Sequence, residues 1–149
     1  MANQTIVLTR RVSKVMGGDF LLLPLSAQER TKLRGLKKTK CGLDVLLQLP
    51  RTGHLLPGEI LMGENEFPLV KVEPAIEELI QVEALSSLEL AKASYHLGNR
   101  HVELELQGQK LFLLKDPVLE LMLTKRGLHL TPVKRPFFPE PGAYSDSHR

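Results

Sequence analysis

The sequence is poor in the residues that usually reveal a chemistry or a compartment. It contains one cysteine and no tryptophan, and aromatic residues make up 5% of its 149 residues. Because Cys41 cannot form an internal disulfide, the expected compartment is the cytosol. No apolar run approaches the roughly 18 residues that span a bilayer, and the N-terminus lacks the basic and apolar segments of a signal peptide. We therefore expect no membrane partner.

The sequence also lacks strong catalytic and metal-binding motifs. It has no Cys-x-x-Cys pair, no His-Glu-x-x-His helix, no glycine-rich phosphate loop and no nucleophile elbow. No reaction class is therefore indicated by a motif. Any metal site has to be built from histidines that are scattered along the chain.

Acidic residues are missing from one basic segment. The net charge is +3, but residues 30–40 hold six cations and no acid, and the remaining chain carries 14 basic and 17 acidic residues. A solvated face is one explanation of this segment, and nucleic-acid or acidic-protein binding is another. No aromatic residue accompanies the cations to stack on bases. We predict a partner-binding surface at Arg30, Lys32, Arg34, Lys37 and Lys38.

The pattern of apolar, glycine and proline residues changes at Pro74. We predict an N-terminal domain over residues 1–74, a second domain over 75–135 and a flexible tail over 136–149. Before Pro74, short apolar runs are separated by glycine and proline turns, which is typical of a small all-β domain. The predicted strands cover residues 5–8, 20–23, 43–49, 59–62 and 69–72.

The second domain alternates strands and helices. Ser86 and Glu89 have the spacing of a capping box, and Gly98 is the expected left-handed residue after the first helix. Asp116 is a suitable N-cap, followed by Pro117 at the first helical position. With predicted strands over 78–82, 101–106, 110–114 and 128–133, the order is βαββαβ. The fold class is therefore α+β, with an all-β domain before a ferredoxin-like domain.

The predicted strand over 101–106 alternates strictly between apolar and polar residues. His101, Glu103 and Glu105 would share its outer face. An acylphosphatase-like enzyme uses the same βαββαβ plan, and Asn99 and Arg100 are suitable residue types for it. The connection over residues 83–87 has no glycine-rich anion cradle, however, which disfavours that alternative.

The second predicted helix has more apolar residues than one sheet face requires. A deeply buried helix is one explanation, and a symmetric dimer is the other, which we favour. We predict a homodimer interface formed by Pro117, Val118, Leu121 and Met122.

The five histidines limit where a metal could bind. They are His54, His96, His101, His129 and His148. In a ferredoxin-like sheet the second and fourth strands are opposite edges, which separates His101 from His129 by about 14 Å. These two side chains cannot hold one ion within a subunit. A site with several histidines needs two subunits or the tail that carries His148.

Three segments of the chain resemble the UreE family of urease accessory nickel metallochaperones. They are Tyr-His-Leu-Gly-Asn-Arg-His over 95–101, Asp-Pro-Val-Leu over 116–119 with Met122 and Leu123, and the proline-rich stretch over 136–144. The basic segment over 29–35 and the turn over 49–53 are also similar to family segments. The combination of these segments is specific, whereas each alone would be weak.

The resemblance implies a carrier and not an enzyme. The implied N-terminal domain is similar to a chaperone peptide-binding module, and the implied ferredoxin-like domain binds metal and dimerises. The implied cargo is Ni²⁺, held transiently and donated to the urease apoprotein in concert with a GTPase and other accessory proteins. The alternative is a scaffold or nucleic-acid-binding module that acts through residues 30–40 and has no metal role.

The expected nickel ligands are histidines because imidazole suits Ni²⁺. Family members typically have a histidine directly after the aspartate that opens the second helix, where this chain has Pro117. Many also end in a histidine-rich stretch, where this chain has only His148. We predict His148 as the first ligand, His129 as the next and His101 as a weaker candidate, and we expect alanine at both His148 and His129 to abolish nickel binding.

Overall fold

The chain folds into strands and two α-helices in a computed structural model, which describes residues 4–13 and 17–142. It divides into two compact units, Met1–Ala75 and Ile76–Arg149. The division falls one residue after Pro74, where the texture of the sequence changes. Each unit is described by itself.

The first unit consists of two small sheets. Its strands are β1 (Ile6–Leu8), β2 (Arg10–Val12), β3 (Phe20–Leu25), β4 (Arg34–Lys38), β5 (Asp44–Gln48), β6 (Ile60–Met62) and β7 (Leu69–Pro74). The sheet orders are β1-β5-β4 and β2-β6-β7-β3. The five predicted strands are confirmed as β1, β3, β5, β6 and β7, and two short strands, β2 and β4, were not predicted.

Aliphatic side chains from both sheets form the core of the first unit. Leu8, Leu23, Leu47 and Leu61 are completely buried in it. The chain comes very close to itself at Gly63, where an added Cβ would lie 2.2 Å from the carbonyl oxygen of Val7. Only glycine fits at that position without a shift of the backbone.

The second unit has the predicted ferredoxin-like order. Its elements are β8 (Ile76–Glu83), α1 (Ser87–Asn99), β9 (Glu105–Gln107), β10 (Lys110–Leu114), α2 (Pro117–Lys125) and β11 (His129–Pro136). The sheet order is β11-β8-β10-β9, with β10 antiparallel to both β8 and β9, and β11 antiparallel to β8. The α+β class is confirmed, and β9 and β11 are opposite edges.

Both helices begin at the predicted caps. Ser86 Oγ accepts a hydrogen bond from the Glu89 amide at 3.2 Å, and Asp116 Oδ1 accepts from the amides of Val118 and Leu119 at 2.9 and 3.2 Å. The buried helix residues pack with alternate residues of β8 and β10 in one cluster, which includes Ala93, Leu97, Leu119 and Leu123 from the helices and Ile80, Val82, Leu111 and Leu113 from the strands. Within the described residues, neither helix is long and apolar enough to cross a lipid bilayer.

Three expectations for this unit are wrong. The strand predicted over 101–106 begins only at Glu105. The preceding residues form a left-handed turn after α1, and Val102 and Leu104 pack against the core. Gly98 lies inside α1 and does not end it. The tail does not begin at residue 136, because Pro136 is the last residue of β11 and Phe137 is completely buried.

Candidate functional site

His101 occupies an unusual backbone position directly after α1. Its φ is +60°, the one positive φ of a non-glycine residue in the described part of the chain. The His101 amide donates to the carbonyl of Gly98 at 3.0 Å, and the Val102 amide donates to that of Leu97 at 3.1 Å. This pair of bonds is the Schellman motif, whose left-handed position is usually glycine. A histidine held there at a cost of roughly 1–2 kcal/mol is a candidate functional residue.

The connectivity places His101 at a defined end of the sheet, which we call the Ile76 end. Strands β8 and β9 run in the same direction, because each is antiparallel to β10. Strand β8 runs from Ile76 to Glu83, so α1, which connects it to β9, returns to the Ile76 end. The last residue of β10, Leu114, pairs with Leu79, so α2 begins at the Ile76 end as well. His101 and the N-terminus of α2 therefore lie at the same end of the second unit. The His101 side chain is exposed there.

A buried carboxylate organises the chain beyond β11. Glu105 is 3% exposed, and its side chain accepts hydrogen bonds from Arg135 Nη2 at 2.8 Å and from the Phe138 amide at 2.9 Å. The side-chain amide nitrogen Nε2 of Gln107 also donates to Glu105. The guanidinium of Arg135 lies 4.2 Å from the centre of the Phe112 ring on the same sheet face. The carboxylate thereby ties edge strand β9 to the segment after β11.

Residues 137–140 cross the sheet from one edge to the other, and we call this segment the strap. It begins where Pro136 pairs with Ile76, and it ends where the Glu140 amide donates to the Leu104 carbonyl at 2.7 Å. Phe137, the first residue of the strap, is completely buried. The described chain therefore ends beside the segment that connects His101 to β9. His148 lies outside the described residues.

The other histidines lie elsewhere. His129 is exposed at the start of β11 and pairs with Glu83, so it lies at the opposite end and opposite edge of the sheet from His101. His96 is part-buried in α1, with its ring in edge-to-face contact with Tyr95. His54 is exposed in the first unit. The described residues contain no group of three or more potential metal ligands. Any site with several ligands therefore needs further groups.

Three of the four residues that we predicted for a dimer interface are exposed apolar side chains. Pro117, Val118 and Leu121 are exposed on α2, with Val118 at 68% and Leu121 at 58%, while Met122 is half-buried. Tyr95 on helix α1 is another large side chain that is exposed. The surface formed by Val118 and Leu121 is the apolar face of α2.

The structure divides the basic segment into two groups of cations. Arg30 is 6% exposed and donates from Nη1 to the Leu25 carbonyl at 2.9 Å, so its place on a partner-binding surface was predicted wrongly. Lys37, Lys38 and Lys40 form ion pairs with Glu29, Asp44 and Glu73 at 3.2, 3.1 and 3.4 Å. Lys32 and Arg34 are exposed and make no ion pair with any described residue.

Glu29 orders the start of this segment. Its carboxylate accepts from the Ser26 amide at 2.9 Å, and its own amide donates to Ser26 Oγ at 3.1 Å, which is a capping box. Burial by itself would raise the pKa of Glu29, but the Ser26 hydrogen bond and the Lys37 ammonium outweigh it and lower the pKa below 4.5. The box holds the 3-10 helix Glu29–Thr31 in front of β4.

Sequence reasoning missed two features of these sites. The left-handed position of His101 was assigned to Gly98, because glycine is the usual residue there. The burial of Glu105 was hidden by its place in an alternating polar row. The run Lys134-Arg135 before two phenylalanines was the one available signal that a cation could return to a carboxylate.

Comparison with known proteins shows a consistent similarity along the chain. The family described as "UreE urease accessory protein, C-terminal domain" matches residues 77–149. The urease accessory protein UreE of Parasynechococcus marenigrum (strain WH8102) is 50% identical over 145 residues, which cover 97% of each chain. That of Synechococcus sp. (strain CC9311) is 57% identical over 122 residues, covering 82% of this chain and 79% of the relative.

A more distant relative extends the same similarity. The urease accessory protein UreE of Prochlorococcus marinus (strain MIT 9301) is 42% identical over 144 residues, covering 96% of this chain and 97% of the relative. The matches to the Parasynechococcus and Prochlorococcus proteins cover at least 96% of this chain and therefore include both units. The chain belongs to the UreE family of urease accessory proteins.

Proposed function

We propose that the protein binds Ni²⁺ and donates it during assembly of the urease metallocentre. The observation that carries this proposal is the similarity to urease accessory proteins over 97% of the chain. The proposed partners are a second copy of the chain, the urease apoprotein and its other accessory proteins, including the GTPase. The proposed compartment is the cytosol, where an exposed Cys41 stays reduced. The nucleic-acid-binding alternative is not favoured.

The ligands that we propose for nickel are His101 and His148. His101 is exposed on a hydrogen-bonded turn, as a donor for an exchangeable cargo should be. His101 is three residues before Leu104, a distance of at most about 11 Å along the chain. His148 is eight residues beyond Glu140, a stretch that spans at most about 27 Å. Because Glu140 is hydrogen-bonded to Leu104, His148 can reach His101 within one subunit.

His101 is nearer to Leu104 than His129 is, and this favours His101 over His129 as the partner of His148. His129 lies on the opposite edge strand, about 14 Å across the sheet, and at the opposite end of it. We therefore propose His129 as the alternative ligand and as the natural comparison in experiments. Both side chains are exposed, so alanine at either position removes no buried contact.

A dimer through the apolar face of α2 would complete the coordination. The N-terminus of α2 and His101 are at the same end of the unit, so a two-fold axis near Val118 and Leu121 would bring both copies of His101 to one side. Two imidazoles from each subunit would then surround one ion, and Ni²⁺ accepts such nitrogen ligands. The apolar exposure of Val118 and Leu121 supports this interface.

The test is a calorimetric titration with Ni²⁺ of the full chain, a version that ends at Tyr144, His101→Ala and His129→Ala. We expect about one ion per dimer for the full chain, loss of this site in the truncated chain and in His101→Ala, and no change in His129→Ala. If His129→Ala loses the site and His101→Ala keeps it, the proposed pair is wrong. If the full chain binds no nickel, the carrier role is wrong.

The dimer is tested separately by sedimentation. Leu121→Glu should convert the dimer into a monomer, because it places a charge on the apolar face of α2. Leu56→Glu is the matched control, since Leu56 is 64% exposed in the first unit and Leu121 is 58% exposed. An unchanged dimer in Leu121→Glu would show that the contact is formed elsewhere.

A further inference from the structure

An open cleft of about 420 Å³ in the first unit has basic side chains on both walls. One wall is formed by residues 31–34, between the 3-10 helix and β4, and includes Lys32 and Arg34. The other wall is the turn over 51–54 and includes Arg51 and His54. All four side chains are exposed. We call this feature the basic cleft.

The walls of the basic cleft are held together by main-chain contacts. The Leu55 amide donates to the Arg30 carbonyl at 2.8 Å, and the Leu49 amide donates to the Leu33 carbonyl at 3.1 Å. Leu49 and Leu55 are buried in the core, with at most 1% of their surface exposed. The cleft is therefore formed before any ligand arrives, which lowers the entropy cost of binding.

The positive charge of the cleft is not compensated within the described chain. No lining residue is acidic, and Lys32, Arg34 and Arg51 make no ion pair with any described residue. The neighbouring Lys37, Lys38 and Lys40 are paired with acids of the same unit. Unpaired cations on two facing walls favour the binding of an anion from outside the chain.

The surroundings of the cleft favour a peptide over a nucleic acid. Strand β4 is an edge of its sheet. The backbone groups of Leu33 and Thr39 bond to the β5 side. Because these groups alternate in direction along a strand, the backbone N–H and C=O groups of Arg34 and Leu36 point away from β5. Leu36 is 63% exposed beside them. An extended peptide can use backbone groups and an apolar contact of this kind, and no phenylalanine, tyrosine or tryptophan lines the cleft to stack on bases.

We propose that the basic cleft binds an acidic, extended segment of a partner protein, with carboxylates on Lys32, Arg34 and Arg51 and its backbone along the edge of β4. Lys32 has extended backbone geometry, so Lys32 and Arg34 project on the same side, two residues apart. A segment with a carboxylate at every second residue matches this spacing. The proposal does not depend on nickel binding.

The test uses fluorescence anisotropy with a labelled peptide that alternates glutamate and threonine. The variant Arg34→Glu/Arg51→Glu reverses one charge on each wall, and Lys71→Glu/Lys92→Glu reverses two exposed charges elsewhere. We expect the first variant to lose roughly tenfold or more in affinity and the second to lose little, since each exposed ion pair contributes two- to fivefold. Arg51→Gln alone, in an exposed turn, should lose a few-fold and guards against misfolding of the double variant.

Three outcomes would overturn the proposal. The wild-type chain could fail to bind the peptide, the two double variants could lose the same affinity, or a single-stranded oligonucleotide of equal charge could bind more tightly at the same cleft. A nickel titration of Arg34→Glu/Arg51→Glu separates this proposal from the nickel carrier role. That titration should match the wild-type result.

Discussion

The Glu140 amide donates a 2.7 Å hydrogen bond to the carbonyl of Leu104. This bond joins the chain that follows one edge strand, β11, to the segment that precedes the opposite edge strand, β9. The strap between them is fixed by the carboxylate of Glu105 and by the buried ring of Phe137. A buried charge as well as apolar contact therefore fixes the course of residues 137–140.

Substitution of Glu105 should release the strap. In Glu105→Gln the side chain keeps its size but loses its charge and one of its two acceptor oxygens. It can then no longer accept from both Arg135 and the Phe138 amide, and we expect the free energy of unfolding to fall by about 1–3 kcal/mol. Hydrogen exchange at the Phe138 amide should accelerate, and under the proposed pairing of His101 with His148 nickel affinity should fall, because the strap no longer fixes the chain at Glu140. Glu103→Gln is the control, because Glu103 is exposed. Unchanged protection of the Phe138 amide would contradict this account.

His101 should trade stability against metal binding. Glycine has no steric penalty at φ +60°, so His101→Gly should be up to about 1 kcal/mol more stable than His101→Ala. Both variants should lose the nickel site. Chemical denaturation of the pair measures the difference, and a glycine variant that is less stable than the alanine variant would show that the turn is not strained.

Two glycines should respond to alanine in opposite directions. In Gly63→Ala the new Cβ meets the Val7 carbonyl at 2.2 Å, and we expect a loss of about 1–3 kcal/mol in the free energy of unfolding. In Gly98→Ala the new Cβ meets nothing within 4 Å inside α1, and helix propensity should add about 0.5–1 kcal/mol. Urea denaturation of both variants checks the sign, and a stabilised Gly63→Ala would contradict the close approach of the two strands.

The capping box at Glu29 should make the first unit sensitive to acid. The pKa of Glu29 is lowered in the folded state, so the carboxylate stabilises the fold above its ordinary pKa of 4.5, and this contribution is lost as the pH falls through the lowered value. Glu29→Gln should be less stable than the wild type at neutral pH, and the difference should shrink in acid. The urea midpoint of both proteins against pH measures this effect. Parallel curves would rule out Glu29 as the titrating group.

The second unit was predictable because its boundaries carry their own signals. Ser86, Asp116 and Pro117 open the helices through local hydrogen bonds and a fixed φ, which depend little on the rest of the fold. In the first unit, β4 was missed because its residues Arg34, Lys37 and Lys38 look like a solvated charged run. Gly35 and Lys37 on one side of that strand are half-buried, and this depends on the pairing with β5, which no local pattern encodes.

The site was harder to predict than the fold. His101 was assigned to a strand face because 101–106 alternates, but the Schellman turn uses its first two residues to end α1. Glu105 was assigned to the solvent, although its partners Arg135 and Phe138 are 30 and 33 residues away in the sequence. Contacts of that range arise from the sheet order and cannot be read from the spacing of residues.

The strap also determines how a second ligand would meet the first. Because the chain is fixed at Glu140, a side chain eight residues later is at most about 27 Å from that point. Short tethers of this kind correspond to an effective concentration on the order of millimolar. Capture of an ion already on His101 would then be a ring closure within one molecule. Release could begin at His148, without any change in the folded units.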